Sequence, residues 1–242
     1  MPNATPRGMR AAVDDVRRLV RAGAPDRQRS LESYGAMAYR YHERTASGIH
    51  FRQLAVARLA PLPGEVVVDV GCGTGLNFQA IQNAIGPRGR LIGIELNPRM
   101  LDVAHDRIER HGWTNVELVE SDVAEADVPA TADAALLCAV HDVMRSPAAL
   151  ANVLRHLRRR ARIVAGGPKW GPWRHADGLS MNFKTWKMNR ECVTTFEGFT
   201  RPWSHLEPLV DNLVVDEVFS GGGYLASGIR PRHVQATQRR LA

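Results

Sequence analysis

Between residues 66 and 80 the chain reads VVVDVGCGTGLNFQA, an apolar β-branched run leading directly into Gly71, Gly73 and Gly75. Backbone bare of side chains at three alternate positions lets a phosphate or a nucleoside approach closely, or simply makes a tight turn. A dinucleotide fingerprint needs its third glycine one position later, where Leu76 stands, and no Lys-Ser/Thr follows the last glycine as in a phosphate-binding loop. Asp69 lies two residues before the first glycine, at the expected strand end. A carboxylate there is a poor neighbour for a pyrophosphate and a good acceptor for an ammonium group.

Two further acids fall at comparable places. Glu95 closes the next apolar run, where an acidic side chain can accept from both hydroxyls of a ribose. Asp122, in ESDVAE, follows the third run and can accept from an exocyclic adenine amine. Each acid alone would ordinarily be a solvated or capping residue. Together, the three acceptors on successive strand ends describe S-adenosylmethionine.

These groups need a scaffold that brings strand ends together. Apolar strands are predicted at 66–70, 91–95, 116–120, 134–140 and 162–166, with helical segments between most of them. NPRMLDVAHDRIERHG places Asn97 to cap, Pro98 in the first turn, Leu101, Ala104 and Ile108 on one face, and Gly112 at the end. SPAALANVLRHL repeats the arrangement with Ser146 and Pro147. Alternating strands and helices imply an α/β fold, a Rossmann-like, doubly wound, mostly parallel sheet that binds ligands at the carboxyl ends of its strands. LVVDEVF and GGYLASGI add a C-terminal antiparallel hairpin, giving seven strands. Ahead of the sheet, helices are expected over residues 9–22, with Met9, Val13, Val16 and Val20 at helical spacing, and over residues 49–60. The organisation expected is an N-terminal helical lid at 1–60 and one globular unit at 61–242, with an aromatic insert at 170–203.

Over residues 34–166 the chain resembles the class I S-adenosylmethionine-dependent methyltransferases, most closely the ubiquinone/menaquinone-biosynthesis type and its small-molecule relatives. Besides the glycine loop and the acids, YGAMAYRYHERT looks like that group's aromatic, Ala, Arg, Tyr segment. Tyr34 and Tyr41 hold the aromatic positions and His42 replaces the usual acid. The resemblance implies that Tyr41 lies over the methionine end of the cofactor and takes part in catalysis, and that the N-terminal helices close over the site. The cofactor shell expected is Tyr41, Asp69, Gly71, Cys72, Gly73, Thr74, Gly75, Asn77, Glu95, Leu96, Met100, Asp122 and Val123.

The fourth strand ends in LLCAVHDV, with neither the Asn/Asp-Pro-Pro-aromatic motif of nucleic-acid amino-methyltransferases nor the Pro-Cys nucleophile of pyrimidine carbon methylases. His141 is the candidate catalytic base; the alternative is a ring that packs on the cofactor. Asp142 would orient that imidazole or cap the following turn. Acceptor-side candidates are Tyr34, Trp170 and Trp173, with His175, Phe183, Trp186, Phe196, Phe199 and Trp203 in reserve for a wall or for core packing. Such rings suit a flat aromatic acceptor or a cationic amine.

The composition frames this reading. The net charge is +7, but only Lys169, Lys184 and Lys187 are lysines, so 29 of the 32 basic residues are arginine. That bias is as much a coding style as a binding surface, and RHLRRRAR at 155–162 reads as a solvated helix end favoured by the helix dipole. Cys72, Cys138 and Cys192 have no metal spacing and no disulfide pattern, so they are expected as small packing residues, with no metal. No apolar run suffices to span a bilayer and no signal-peptide core opens the chain, making the cytoplasm the expected location. The function expected is methyl transfer to a small molecule, with nucleic acid not the expected partner and a homodimer left open. The alternatives are an RNA methyltransferase, favoured only by basicity, and a cofactor-binding interaction protein without catalysis.

Overall fold

A computed structural model describes residues 26–173, 176–190, 193 and 195–232. The helix expected over 9–22, His175 and Cys192 lie outside the described residues. Among the described residues the first helices are α1 (Arg27–Met37), the short α2 (Tyr41–Arg44) and α3 (Ile49–Leu59). The alternating unit follows as β1 (Val66–Val70), α4 (Phe78–Ile85), β2 (Arg90–Glu95), α5 (Pro98–His111), β3 (Val116–Glu120) and β4 (Ala132–Cys138). It ends with α6 (His141–Met144), α7 (Pro147–Arg155) and β5 (Leu157–Pro168), before α8 (Ala176–Asn189), β6 (Asp211–Val218) and β7 (Gly223–Ile229).

The seven strands form one sheet in the order β3-β2-β1-β4-β5-β7-β6. β1 to β5 run parallel, whereas β7 is antiparallel to both β5 and β6. The terminal hairpin therefore docks through its second strand. Chain order reverses between β1 and β4, and that switch point opens the crevice in which such sheets bind ligands.

Alternation along the strands divides the core between the two faces. Val68, Val70, Ile92 and Ile94 pack with Leu150 and Val153 of α7 on one side. Val67 and Leu91 pack on the other with Phe78 and Ile81 of α4 and with Ala55, Val56 and Leu59 of α3. So α3 is part of the sheet's covering layer, and only the elements before it stand apart as an expected lid. The caps follow the sequence. The Asn97 side chain accepts from the Arg99 and Met100 N–H groups, Ser146 accepts from Ala149, and Gly112 ends α5 at φ 63°.

The arginine-rich segment departs from expectation. The helix stops at Arg155, and Arg158, Arg159 and Arg160 belong to β5, where the register with β4 slips between Ala132 and Ala134. Arg160 takes a φ of 64°, Arg158 pairs with Asp133 at 2.6 Å, and Arg162 pairs with Glu65. These arginines occupy the opposite end of the sheet from the strand carboxyl ends, so helix-dipole compensation is left to Arg155 alone. Among the described residues no helix is long and apolar enough to cross a membrane.

Candidate functional site

The strand carboxyl ends open into a cavity of about 320 Å³. Its floor begins where β1 runs into the glycine loop. Gly71, Gly73 and Gly75 have φ values of 62°, 55° and 73°, a region that glycine enters without penalty. A Cβ on Gly71 would meet Val140 Cγ1 at 2.5 Å, and one on Gly75 would meet the Phe78 ring at 2.6 Å. At Gly73, by contrast, nothing lies within 4 Å of the place a Cβ would take. The loop is thus packed at both ends and open at its middle, a cradle a ligand can fill.

Glu95, at the end of β2, braces this loop. One carboxylate oxygen accepts from the Gly73 N–H at 2.9 Å, and the other accepts from Leu96 and Asn97, both at 2.9 Å. Burial pushes its pKa upward against these hydrogen bonds. Asp122, beyond β3, accepts from the Ala124 N–H at 2.8 Å and pairs with Arg27 of α1 at 3.1 Å. Cys72, Leu96, Met100 and Val123 share the wall with these acids.

Asp69 is placed differently from the sequence expectation. Period two puts it on the same sheet face as Val67, and it is not among the residues that line the cavity. It is fully buried, and Asn77 Nδ2 donates to its two oxygens at 3.0 and 3.1 Å. Burial raises its pKa to about 7, against the opposing pull of Asn77 and Arg52. Thr74, Gly75 and Asn77 are likewise buried and do not reach the wall. These four residues hold the loop from behind.

The group the sequence reading missed is Arg52 of α3, half-buried on the cavity wall. Burial opposes its charge, while a hydrogen bond with Tyr41 and the neighbouring Asp69 favour it. Its signal was present: Arg52 shares a helix face with the buried Ala55, Val56 and Leu59, so it is a cation within an apolar stripe. Burial pushes the Cys138 thiol up to about 11 and raises that of Cys72 well above its ordinary value, so both behave as packing residues.

Tyr34 and Tyr41 reach the wall from the N-terminal elements, with ring centroids 6.1 Å apart. His141 stands opposite, at the end of β4. Its Nε2 lies 3.1 Å from the Glu197 carbonyl, so that nitrogen carries the proton and donates. Burial, then the charge of Arg145, lowers its pKa to about 4, and the ring is uncharged at neutral pH. Its ring meets Phe199 edge-on at 4.2 Å. Asp142 neither orients the imidazole nor caps α6: one oxygen meets Ser30 Oγ at 3.4 Å and the other has no hydrogen-bond partner among the described residues.

Trp170 and Trp173 are not on the cavity wall. Trp170 is buried in a cluster with Phe196 and Phe199, at centroid distances of 5.1 and 5.5 Å, and Trp173 is 48% exposed beside it. Large rings in this insert satisfy one another first. Phe183 is exposed, and Trp203 packs on Tyr224 at 5.3 Å. Val193 is the insert's own contribution to the cavity. No cluster of metal-ligating side chains occurs among the described residues.

Residues 67–160 match a family model described as a methyltransferase domain. An uncharacterized 37.1 kDa protein in transposon TN4556 of Streptomyces fradiae is 29% identical over 145 residues, 58% of this chain and 39% of that protein. Demethylmenaquinone methyltransferase of Geobacillus stearothermophilus is 27% identical over 81 residues, 34% of this chain and 35% of the relative. The chain thus spans well under half the length of these two curated relatives. The N-methyltransferase NodS of Bradyrhizobium japonicum WM9, solved with S-adenosyl-L-homocysteine, shares the fold at a TM-score of 0.54 and 16% identity. That alignment covers 76% of this chain and 87% of NodS. The sheet order agrees with these matches, which make the chain similar to methyltransferases in sequence over residues 67–160 and in fold over most of its length.

Proposed function

We propose that this chain transfers a methyl group from S-adenosylmethionine to a small-molecule acceptor that is aromatic or carries an amine. The observation that carries the reading is one cavity joining the open Gly73 cradle, the Glu95 and Asp122 carboxylates and the Arg52 guanidinium to the rings of Tyr34, Tyr41 and His141. These groups fit the cofactor in kind. Glu95 retains a lone pair for a ribose hydroxyl on the oxygen that meets Gly73, Asp122 can accept from the adenine amine, and Arg52 matches a carboxylate. The carboxylate-binding cation thus lies on α3, and the ammonium expected at Asp69 falls instead to groups on the wall.

S-adenosylmethionine supplies a methyl carbon already activated by a sulfonium, so the protein's work is alignment and exclusion of water. Tyr34 and Tyr41 cover the cavity from the N-terminal side, and Val193 with the His141 ring bounds it from the other. Uncharged His141, with its Nε2 proton donated to the Glu197 carbonyl, presents its ring to the cavity. That suits positioning better than proton abstraction at neutral pH. The exposed arginines of β5 stand at the far end of the sheet, which argues against feeding a nucleic acid into this cavity.

The test combines calorimetry with labelling. S-adenosylhomocysteine should bind at micromolar levels while NADH does not, and host extracts given a labelled methyl donor should yield a small labelled product. Absence of S-adenosylhomocysteine binding sinks the reading. Label found only in RNA moves the acceptor class, and binding without any labelled product favours an interaction protein.

A further inference from the structure

The cavity holds more negative charge than the cofactor reading uses. Glu95 accepts from three backbone N–H groups, and Asp122 is engaged by Ala124 and Arg27. Asp142 is different. Its Oδ1 is buried without a hydrogen-bond partner among the described residues, and its Oδ2 meets only the Ser30 hydroxyl, at 3.4 Å. That length is beyond a good O–H···O bond, so the carboxylate has lost water and gained little in return. The neighbouring cation, Arg145, makes its ion pair with Glu197, at 3.2 Å, and reaches Asp142 only through its field.

Resting on the methyltransferase reading, we infer that Asp142 is the acceptor-recognition carboxylate and that the acceptor carries an ammonium group. An ammonium reaching this carboxylate from the cavity would supply the charge-assisted donor it lacks. Tyr34 and Tyr41, on the same wall, offer ring faces that attract a cation. His141 is uncharged at neutral pH and does not repel one. A neutral aromatic would leave this carboxylate unpaired, and an anion would be repelled by it. Selection by a buried group left unpaired discriminates more strongly than selection by fit. A nitrogen that stays protonated has no lone pair to methylate, so the ammonium is a handle and the methylated atom lies elsewhere on the acceptor.

The experiment uses the full chain saturated with S-adenosylhomocysteine and three matched probes: phenethylamine, phenethyl alcohol and phenylacetate. By calorimetry the amine should bind at least about tenfold more tightly than the alcohol, with no binding of the acid. Asp142→Asn should abolish that preference while cofactor-product affinity stays within about twofold, and Ser30→Ala should retain it. Equal binding of amine and alcohol, a preference that survives Asp142→Asn, or no binding of any probe overturns the proposal. Loss of S-adenosylhomocysteine affinity in Asp142→Asn overturns it too, by giving the carboxylate to the cofactor's own ammonium. Wild-type protein that fails to bind S-adenosylhomocysteine removes the methyltransferase reading, and the proposal with it.

Discussion

Asp69→Asn tests whether the glycine loop is held by a buried acid or by a carboxylate that serves the ligand. The side chain is fully buried, and its pKa is raised from 3.8 to about 7, chiefly by that burial. A folded protein whose carboxyl titrates above its unfolded value holds a proton that the unfolded chain gives up between the two. The stability this contributes is complete below the unfolded value, near pH 4, and is lost as pH rises through about 7. About two of the three units fall between about pH 5 and about pH 8, which at 1.36 kcal/mol per unit is about 3 kcal/mol. Asparagine keeps one oxygen to accept from Asn77, whose Nδ2 lies at 3.0 Å, but it cannot titrate. The variant should therefore gain about 3 kcal/mol relative to wild type on moving from about pH 5 to about pH 8, with other titrations cancelling in the difference. Urea unfolding at both pH values reads this directly. Parallel shifts, with a difference below about 1 kcal/mol, refute the reasoning. Because Asp69 is absent from the cavity wall, S-adenosylhomocysteine affinity should change by less than about threefold, a shift of under about 1 kcal/mol.

Four other outcomes follow from the site. Glu95→Ala leaves three backbone N–H groups without their acceptor and the ribose without its own, and should weaken S-adenosylhomocysteine by about 1–3 kcal/mol in calorimetry; unchanged affinity would remove Glu95 from the site. Gly71→Ala forces a Cβ to 2.5 Å from Val140 Cγ1 at positive φ, so thermal unfolding should report a loss of about 2–4 kcal/mol with weakened cofactor binding; a variant with wild-type stability and affinity contradicts the packed loop. With a pKa of about 4, His141 does not titrate near neutrality, so the turnover ratio of wild type to His141→Ala should be flat from about pH 6 to about pH 8. An inflection near pH 6.5 present only in wild type would restore a base. Trp170→Ala empties a buried cluster and should cost about 3–5 kcal/mol in urea unfolding while S-adenosylhomocysteine still binds; a loss under about 1 kcal/mol would show that the ring is not a packing element.

The alternating unit was legible because its signals agree. Strand runs, the Asn97 and Ser146 caps and the Gly112 stop each pointed to the element that formed. Glycine spacing with Glu95 and Asp122 located the cavity for the same reason, since strand-end positions are fixed once the strands are. RHLRRRAR was misread because cations after an amphipathic helix fit its carboxyl end as well as they fit the exposed start of a strand. Only the slipped register between β4 and β5 distinguishes the two, and register is a property of the partner strand. Asp69 was assigned to the ligand by its closeness in sequence to Gly71. Its actual direction follows from strand alternation, which places it with Val67 and not with Val68.

The acceptor side was harder to read because large aromatic side chains serve packing and recognition equally well. In the insert, packing takes precedence: Trp170, Phe196 and Phe199 bury one another, and Phe199 alone reaches the site's edge by meeting His141 at 4.2 Å. The Glu197 carbonyl fixes the other side of that imidazole, 3.1 Å from Nε2. Arg145 is fastened to the same segment through Glu197. The insert therefore acts on the cavity mainly by setting one histidine and by pairing with Arg145, with Val193 its direct contact among the described residues. A count of rings along the sequence cannot reveal such an arrangement, because what matters is the polar backbone between the rings. The two tyrosines reach the cavity from elements that precede the sheet, opposite that histidine. The cavity wall is thus assembled from segments about 150 residues apart in sequence, which meet at the strand ends.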